Sequence, residues 1–442
     1  MSEFIIGKGI VVTLGKKNRI IHDGAVYIKN DKIVDVGKTE KLVLKYKKCK
    51  FIDASGKIIM PGMICTHHHL YSTMARGMCP LGEPAANFVQ ILERLWWKLD
   101  YALTDDDVYY SAIMPYIECI RNGTTTIIDH HASPSCRDGS LDIIENAARK
   151  AGIRSCLCYE VSDRNFQGAG IAENVRFIKK CKKNKDPMIS AMFGLHASFT
   201  CSTKTLDKCV AENENFGAGF HIHVAEDLAD RKDSMKKYKM PTVTRLLKHG
   251  IGGEKSLFVH CIHINDTEMA QLAESGTTVV HNPESNMNNA VGVSKVLDMM
   301  NKGILVGLGT DGMTSNMFLQ MRVAYLLQRL DKKDPRVAFS EAPQLLLWNN
   351  PKIAMKHFPV KLGEISKDAV ADVILVDYDP ITPFNADNFL GHFIFGLYDA
   401  KVDTTICNGK ILMQNKKLCK LDSAALAAKT TELAKKMWKR LE

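Results

Sequence analysis

Between residues 58 and 309 the chain repeats one unit: a short apolar run that ends in polar residues, then a longer stretch with helical periodicity. The runs are 58–66, 124–129, 154–159, 189–195, 219–224, 257–260, 277–280 and 304–309, eight in all. Their length fits strands, and near-continuous apolar character fits strands buried on both faces. Residues 108–121, 142–151, 203–215, 242–249 and 266–275 read as helices between them. Eightfold strand–helix alternation predicts an α/β fold of the (β/α)8 TIM-like barrel type.

The two chain ends have a different texture. Residues 5–14, 25–29 and 32–36 carry β-branched residues, and Asn30-Asp31 marks a hairpin turn. Residues 370–376, 402–407 and 410–413 repeat the pattern, with Asn408-Gly409 as a two-residue hairpin signal. The expected organisation is a barrel at 57–365, flanked by 1–56 and 366–442, which come together as one small β domain. Residues 423–441, rich in Ala, Lys and Leu, read as a closing helix.

Composition narrows the class. In 442 residues, 45% are hydrophobic and 24% charged, which fits a globular chain with its own core. No run of about 20 apolar residues is present, and residues 1–15 lack the pattern of a signal peptide, so no membrane partner is expected. The 13 cysteines are scattered without paired CxxC motifs, which fits reduced thiols in a cytoplasmic protein. The net charge of +10 is diffuse, with clusters at 45–50, 179–185 and 435–440 and no interleaved aromatics. That describes a solvated surface, and no nucleic-acid partner is expected.

In barrels of this type, catalytic groups sit at the C-terminal ends of the strands. Most of the 15 histidines fall there. The first run ends Thr66-His67-His68-His69, the second Asp129-His130-His131 and the fourth Leu195-His196. The fifth ends His221-Ile222-His223-Val224-Ala225-Glu226, the sixth His260-Cys261-Ile262-His263, the seventh His281-Asn282-Pro283 and the eighth Thr310-Asp311-Gly312.

Residues i and i+2 of a strand share a face, so His67 and His69 can grip one metal while His68 points away. His223 is a third candidate ligand, and Glu226 three residues on suits a general base beside a metal-activated water. His221 shares the strand face and is either the ligand itself or a support for one. Asp311 lies next to the first strand once the barrel closes, and can complete the metal shell or accept a proton; as Asp-Gly it also fits a plain turn. His260 is a catalytic candidate and His263 a structural one. His196 and Arg164 lie on loops over the expected mouth and can contact substrate, although a solvated Arg164 fits as well. The fourth run contains neither Lys nor Glu to bridge two metals, which favours one metal. Residues 88–99, with Trp96 and Trp97, can line the pocket, cover the barrel or form a subunit face.

The motifs Pro61–His69, His221–Glu226, Val259–Cys261, Val280–Pro283 with Ser285-Asn286, and Leu308–Asp311, in that order, resemble the amidohydrolase superfamily. They are similar to its aminohydrolase branch of guanine deaminase, methylthioadenosine/S-adenosylhomocysteine deaminase and triazine hydrolases. Residues 66–77 and 159–164 are most similar to the SsnA subgroup. The resemblance implies a distorted barrel, a β-sandwich built from both termini and a homodimer. It also implies one divalent metal ion, Zn or Fe, held by His67, His69, His223 and Asp311. Glu226 would be the proton shuttle, His260 its electrostatic partner and His196 a substrate contact. The expected reaction is hydrolytic deamination of an amino-substituted N-heterocycle such as a purine, pterin or triazine. The alternative is cleavage of a ring amide, C–Cl or C–NHR bond in the same site.

Overall fold

The computed structural model describes residues 3–79 and 82–441. Residues 80–81 lie outside the described residues, as do Met1, Ser2 and Glu442.

All eight expected runs form strands in the middle of the chain. In order they are Met63–His68, Thr124–His131, Arg154–Tyr159, Ile189–Ala191 continued by Phe193–Ala197, Phe220–Val224, Leu257–His260, Thr278–His281 and Val306–Leu308. Every pairing among them is parallel. Both faces are covered, so their residues are buried almost without exception, which explains the unbroken apolar runs.

The expected continuous barrel ladder is corrected by the pairing. The strands divide into a four-stranded and a five-stranded sheet. The fourth run breaks at Met192: its first part pairs with the third strand and its second part with the fifth. Among the described residues, each seam carries one isolated bridge, Val161 with Leu195 and His68 with Asp311. A buried asparagine occupies each seam. The Asn174 amide accepts from Tyr159 N at 2.9 Å and Gly194 N at 3.3 Å, and donates to Tyr159 O at 2.7 Å. A Cβ on Gly194 would lie 2.3 Å from Tyr159 O, so only glycine permits this approach. The Asn350 amide donates to Ile64 O at 2.7 Å and Leu308 O at 2.8 Å, and accepts from Leu308 N at 2.8 Å. Two side-chain amides thus satisfy backbone groups that a closed ladder would have paired.

The first run also divides. Met63–His68 belongs to the barrel strands, whereas Lys57–Pro61 pairs with Glu3–Val12 and Val373–Asp377. Hydrogen bonding joins nine strands from both chain ends into one mixed sheet, not the two separate sheets of the expected sandwich. Alternation sorts its side chains: Phe4, Ile6, Val26 and Ile28 share one apolar cluster, and Ile5, Ala25 and Tyr27 another. Both expected hairpins form, and Asn408 and Gly409 have φ of 50° and 70°. A Cβ at Gly409 would collide with Asn30 O at 1.7 Å.

The expected C-terminal helix, Ser423–Leu441, packs on the helix Asp105–Arg121. Trp438 Nε1 donates to Met74 O at 2.8 Å, and Arg440 pairs with Asp107. The chain's last helix therefore braces the turn that follows the first barrel strand. All 13 cysteines are unpaired thiols. Among the described residues, no helix is long and apolar enough to cross a membrane.

Replacing Asn350 by alanine removes the partner of Ile64 O and Leu308 N in a buried seam and leaves Leu308 O with the Thr66 hydroxyl alone. Asn350→Ala is expected to lose about 2–4 kcal/mol in urea unfolding. Unfolding at the wild-type midpoint would show that the seam does not depend on this amide.

Candidate metal centre and active-site cavity

His67 of the first strand, His69 just beyond its end, His223 of the fifth and Asp311 beyond the eighth meet at one point. Their candidate ligand atoms all lie within 4.8 Å of one another. His69 Nε2 is 2.9 Å and His67 Nε2 3.2 Å from Asp311 Oδ1, and His69 Nε2 is 3.1 Å from His223 Nε2.

The far side of each ring is fixed. His69 Nδ1 donates to His130 O at 2.6 Å and His223 Nδ1 to His196 O at 2.7 Å. Because a carbonyl only accepts, these bonds place a proton on each Nδ1 and aim each Nε2 at the common point. His67 Nδ1 is 2.8 Å from His221 Nε2, which settles the open question about His221: it stands behind His67 and not at the centre.

Two Nε2 atoms at 3.1 Å repel unless a proton or a cation lies between them. The electrostatics agree. Burial pulls His69 down, but the hydrogen bond and charge of Asp311 outweigh it and hold His69 at about 9. Burial and the surrounding imidazoles keep His67 well below its usual range and His223 at about 3, so both are neutral, the form that ligates a metal. Burial raises Asp311, yet hydrogen bonds from His67 and His69 hold it well below the carboxylate range. Three imidazole nitrogens and one carboxylate oxygen form a donor set suited to a divalent transition metal.

Glu226 and His260 adjoin this group. His260 Nε2 is 3.5 Å from Glu226 Oε2 and 3.9 Å from Asp311 Oδ2, and it has no hydrogen-bond partner. Its Nδ1 is 2.7 Å from Asn286 Oδ1. Burial, with the charge of Asp311, holds the Glu226 carboxyl well above its usual range. Asn289 Nδ2 approaches Glu226 Oε1 at 3.5 Å, and Ser285 Oγ donates to Asp311 Oδ2 at 2.5 Å.

The backbone beneath these groups is unusual. Asp311, His260 and Ala225, which precedes Glu226, have φ of 54°, 70° and 47°. Non-glycine residues rarely adopt this left-handed region, and it turns the chain sharply at three strand ends, aiming the side chains inward.

Of these groups, His69, His223, Glu226, Ser285, Asn289 and Asp311 line one cavity with His196. Phe88, Leu92, Trp96 and Trp97 form its apolar wall, so of the three roles open for residues 88–99 the structure places them against the pocket. Arg164 is turned away from the free-contact role: its guanidinium donates to Asp100 Oδ2 at 2.7 Å and lies 5.2 Å from the Trp97 ring centroid. His263 donates to Val291 O at 2.8 Å, a structural tie.

Sequence reasoning passes over Glu160, Asp100, Ser285 and Asn289, all of which line the cavity. Glu160 directly follows the third run, the same strand-end position that marks the histidines elsewhere. Burial raises Glu160 to about 7 and Asp100 to about 6, against the pull of Arg164 on both.

The sequence matches the amidohydrolase family model over residues 58–412. It is 28% identical over 443 residues to 5-methylthioadenosine/S-adenosylhomocysteine deaminase of Desulfitobacterium hafniense, covering 98% of this chain and 99% of that one. It is 30% identical over 414 residues to 5'-deoxyadenosine deaminase of Methanobrevibacter smithii, covering 92% of each chain. An adenosine deaminase from Xanthomonas campestris, solved with bound zinc, has the same fold at a TM-score of 0.87 and 22% identity, over 99% of this chain and 98% of that one. The parallel strands with reactive residues at their ends and a family match across most of the length agree, and this chain belongs to the amidohydrolase family.

Proposed function

We propose that this protein is a metal-dependent hydrolytic deaminase that replaces the amino group of a purine-like N-heterocycle by oxygen and releases ammonia. The observation that carries the reading is the convergence of His67, His69, His223 and Asp311 on one point, with Glu226 and His260 at its edge. The named relatives act in the same direction, as deaminases of adenine-bearing compounds.

His67, His69, His223 and Asp311 would hold one divalent metal ion. When bound there, such an ion supplies Lewis acidity that lets water ionise near neutral pH. Asp311, a carboxylate, accepts a proton from the attacking water. Glu226, kept protonated by burial, donates its proton to the ring nitrogen beside the amino-bearing carbon. Protonation makes that carbon electrophilic, and the water oxygen adds to it. His260, anchored through Nδ1 to Asn286, takes the remaining proton of that oxygen at its free Nε2 and as imidazolium steadies the negative charge left there. Asp311 passes its proton to the departing nitrogen, the C–N bond breaks and ammonia leaves, and His260 hands its proton to Glu226, 3.5 Å away, which restores the site. His196 at the cavity wall contacts the ring.

The direct test is ammonia release from metal-loaded protein across aminopurines, aminopyrimidines, pterins and aminotriazines. Release from at least one ring is expected; none from any, with metal bound, would shift the reading to another leaving group. Glu226→Gln should keep its metal and release ammonia about 10²–10⁴-fold more slowly. Turnover at the wild-type rate would remove Glu226 from the proton-transfer role.

Metal analysis after competition with a chelator tests the ligands. His67→Ala is expected to lose most of the metal. His221→Ala, which frees the His67 ring, should weaken affinity about 10–100-fold. Full retention of metal by His67→Ala would overturn the ligand set.

A further inference from the structure

One wall of the cavity carries chemistry that the deamination steps do not use. Glu160 lines it with a side chain only 3% exposed. Its Oε1 stands 3.3 Å from His196 Nε2, and its Oε2 is 4.0 Å from Arg164. Arg164 is fixed from behind by Asp100 at 2.7 Å and by stacking on Trp97. The Thr200 hydroxyl donates to Ala197 O at 3.1 Å, so it accepts the Nδ1–H of His196 at 2.7 Å. The Nε2 of a neutral His196 therefore carries a lone pair, and it faces the Glu160 carboxyl. Asp100 Oδ1, in the same wall, is buried with no partner.

This is a wall of hydrogen-bond acceptors. The rest of the lining points the same way. The carboxyl groups of Asp100, Asp227 and Asp230 line the cavity besides Glu160 and the two at the reaction centre, and no Lys or Arg does among the described residues. An acceptor wall complements N–H and O–H donors. Away from the metal ligands, a carboxylate or phosphate would meet Glu160 and Asp100 with no side-chain cation to receive it.

We propose that Glu160, positioned by Arg164, is a specificity-determining residue that accepts a hydrogen bond from an N–H or hydroxyl donor of the substrate. The cavity then takes an uncharged or cationic heterocycle and turns away one that bears a carboxylate or phosphate. This rests on the deaminase reading above and adds the sign and edge chemistry of its substrate.

The test is equilibrium binding by calorimetry to metal-loaded Glu226→Gln protein, which reads binding without turnover, with and without the added change Glu160→Gln. The probes are guanine against 1,9-dimethylguanine, which lacks the ring N–H groups, and 5'-deoxyadenosine against S-adenosylhomocysteine, which bears a carboxylate. Glu160→Gln is expected to weaken guanine or 5'-deoxyadenosine, whichever binds, about tenfold to a hundredfold. It should change 1,9-dimethylguanine less than about twofold, since its ring N–H donors are gone and its one remaining donor is the amino group at the reacting carbon. S-adenosylhomocysteine should bind at least about tenfold more weakly than 5'-deoxyadenosine, because its carboxylate stays unpaired. Arg164→Lys, which leaves Glu160 in place, should weaken the same probes, and metal content with melting temperature separates a lost contact from a lost fold. Rings that bind equally well with and without Glu160→Gln, or S-adenosylhomocysteine binding as tightly as 5'-deoxyadenosine, would overturn the proposal and leave the deaminase reading to the ammonia assay. No binding by any ring together with no ammonia release would overturn both.

Discussion

The Asp311 carboxylate is the contact on which the rest of the site depends. Its Oδ1 reaches both His67 and His69, and its backbone bridges the first strand to the loop after the eighth. That seam has no continuous ladder, so the carboxylate's position comes from other ties. Thr310 N donates to His67 O at 2.9 Å, and His69 N donates to Asp311 O at 3.2 Å. The Asn350 amide clamps the strand ends below. The site and the seam are thus one structure, and the donor geometry is only as good as the edge-to-edge packing of two separate sheets.

Two carboxyl groups a few ångströms apart have opposite characters, set by surroundings alone. Asp311 is buried but receives hydrogen bonds from two imidazoles, and stays ionised. Glu226 is equally buried, lacks such donors apart from Asn289, and feels the charge of Asp311, so it holds its proton. Pairs of titratable groups driven apart in this way supply an acid and a base at one pH. Glu160 is a third carboxyl, set against His196 on the cavity wall, where its surroundings suit recognition more than proton transfer.

Much of this was legible beforehand. The eight runs marked the strands because strands covered on both faces must be apolar along their whole length. The residue types at the run ends named the candidate ligands, because strand periodicity puts His67 and His69 on one face. The hairpins at Asn30-Asp31 and Asn408-Gly409 followed from residues that tolerate positive φ. The tie of Arg164 to Asp100 was not legible, because the two lie 64 positions apart and nothing local announces the pair.

Sequence by itself determined the eight strand-forming runs, the order of the elements, the family and the set of reactive side chains, since each of these is written in local periodicity and residue type. Tertiary structure alone decided where the ladder breaks, which strands the two chain ends share, and that His221 supports His67 while His223 faces the centre. Those outcomes turn on contacts between residues far apart in the chain. It also decided the charge of each buried group: a carboxyl or an imidazole carries no fixed protonation state until burial and its neighbours set the cost of ionising it.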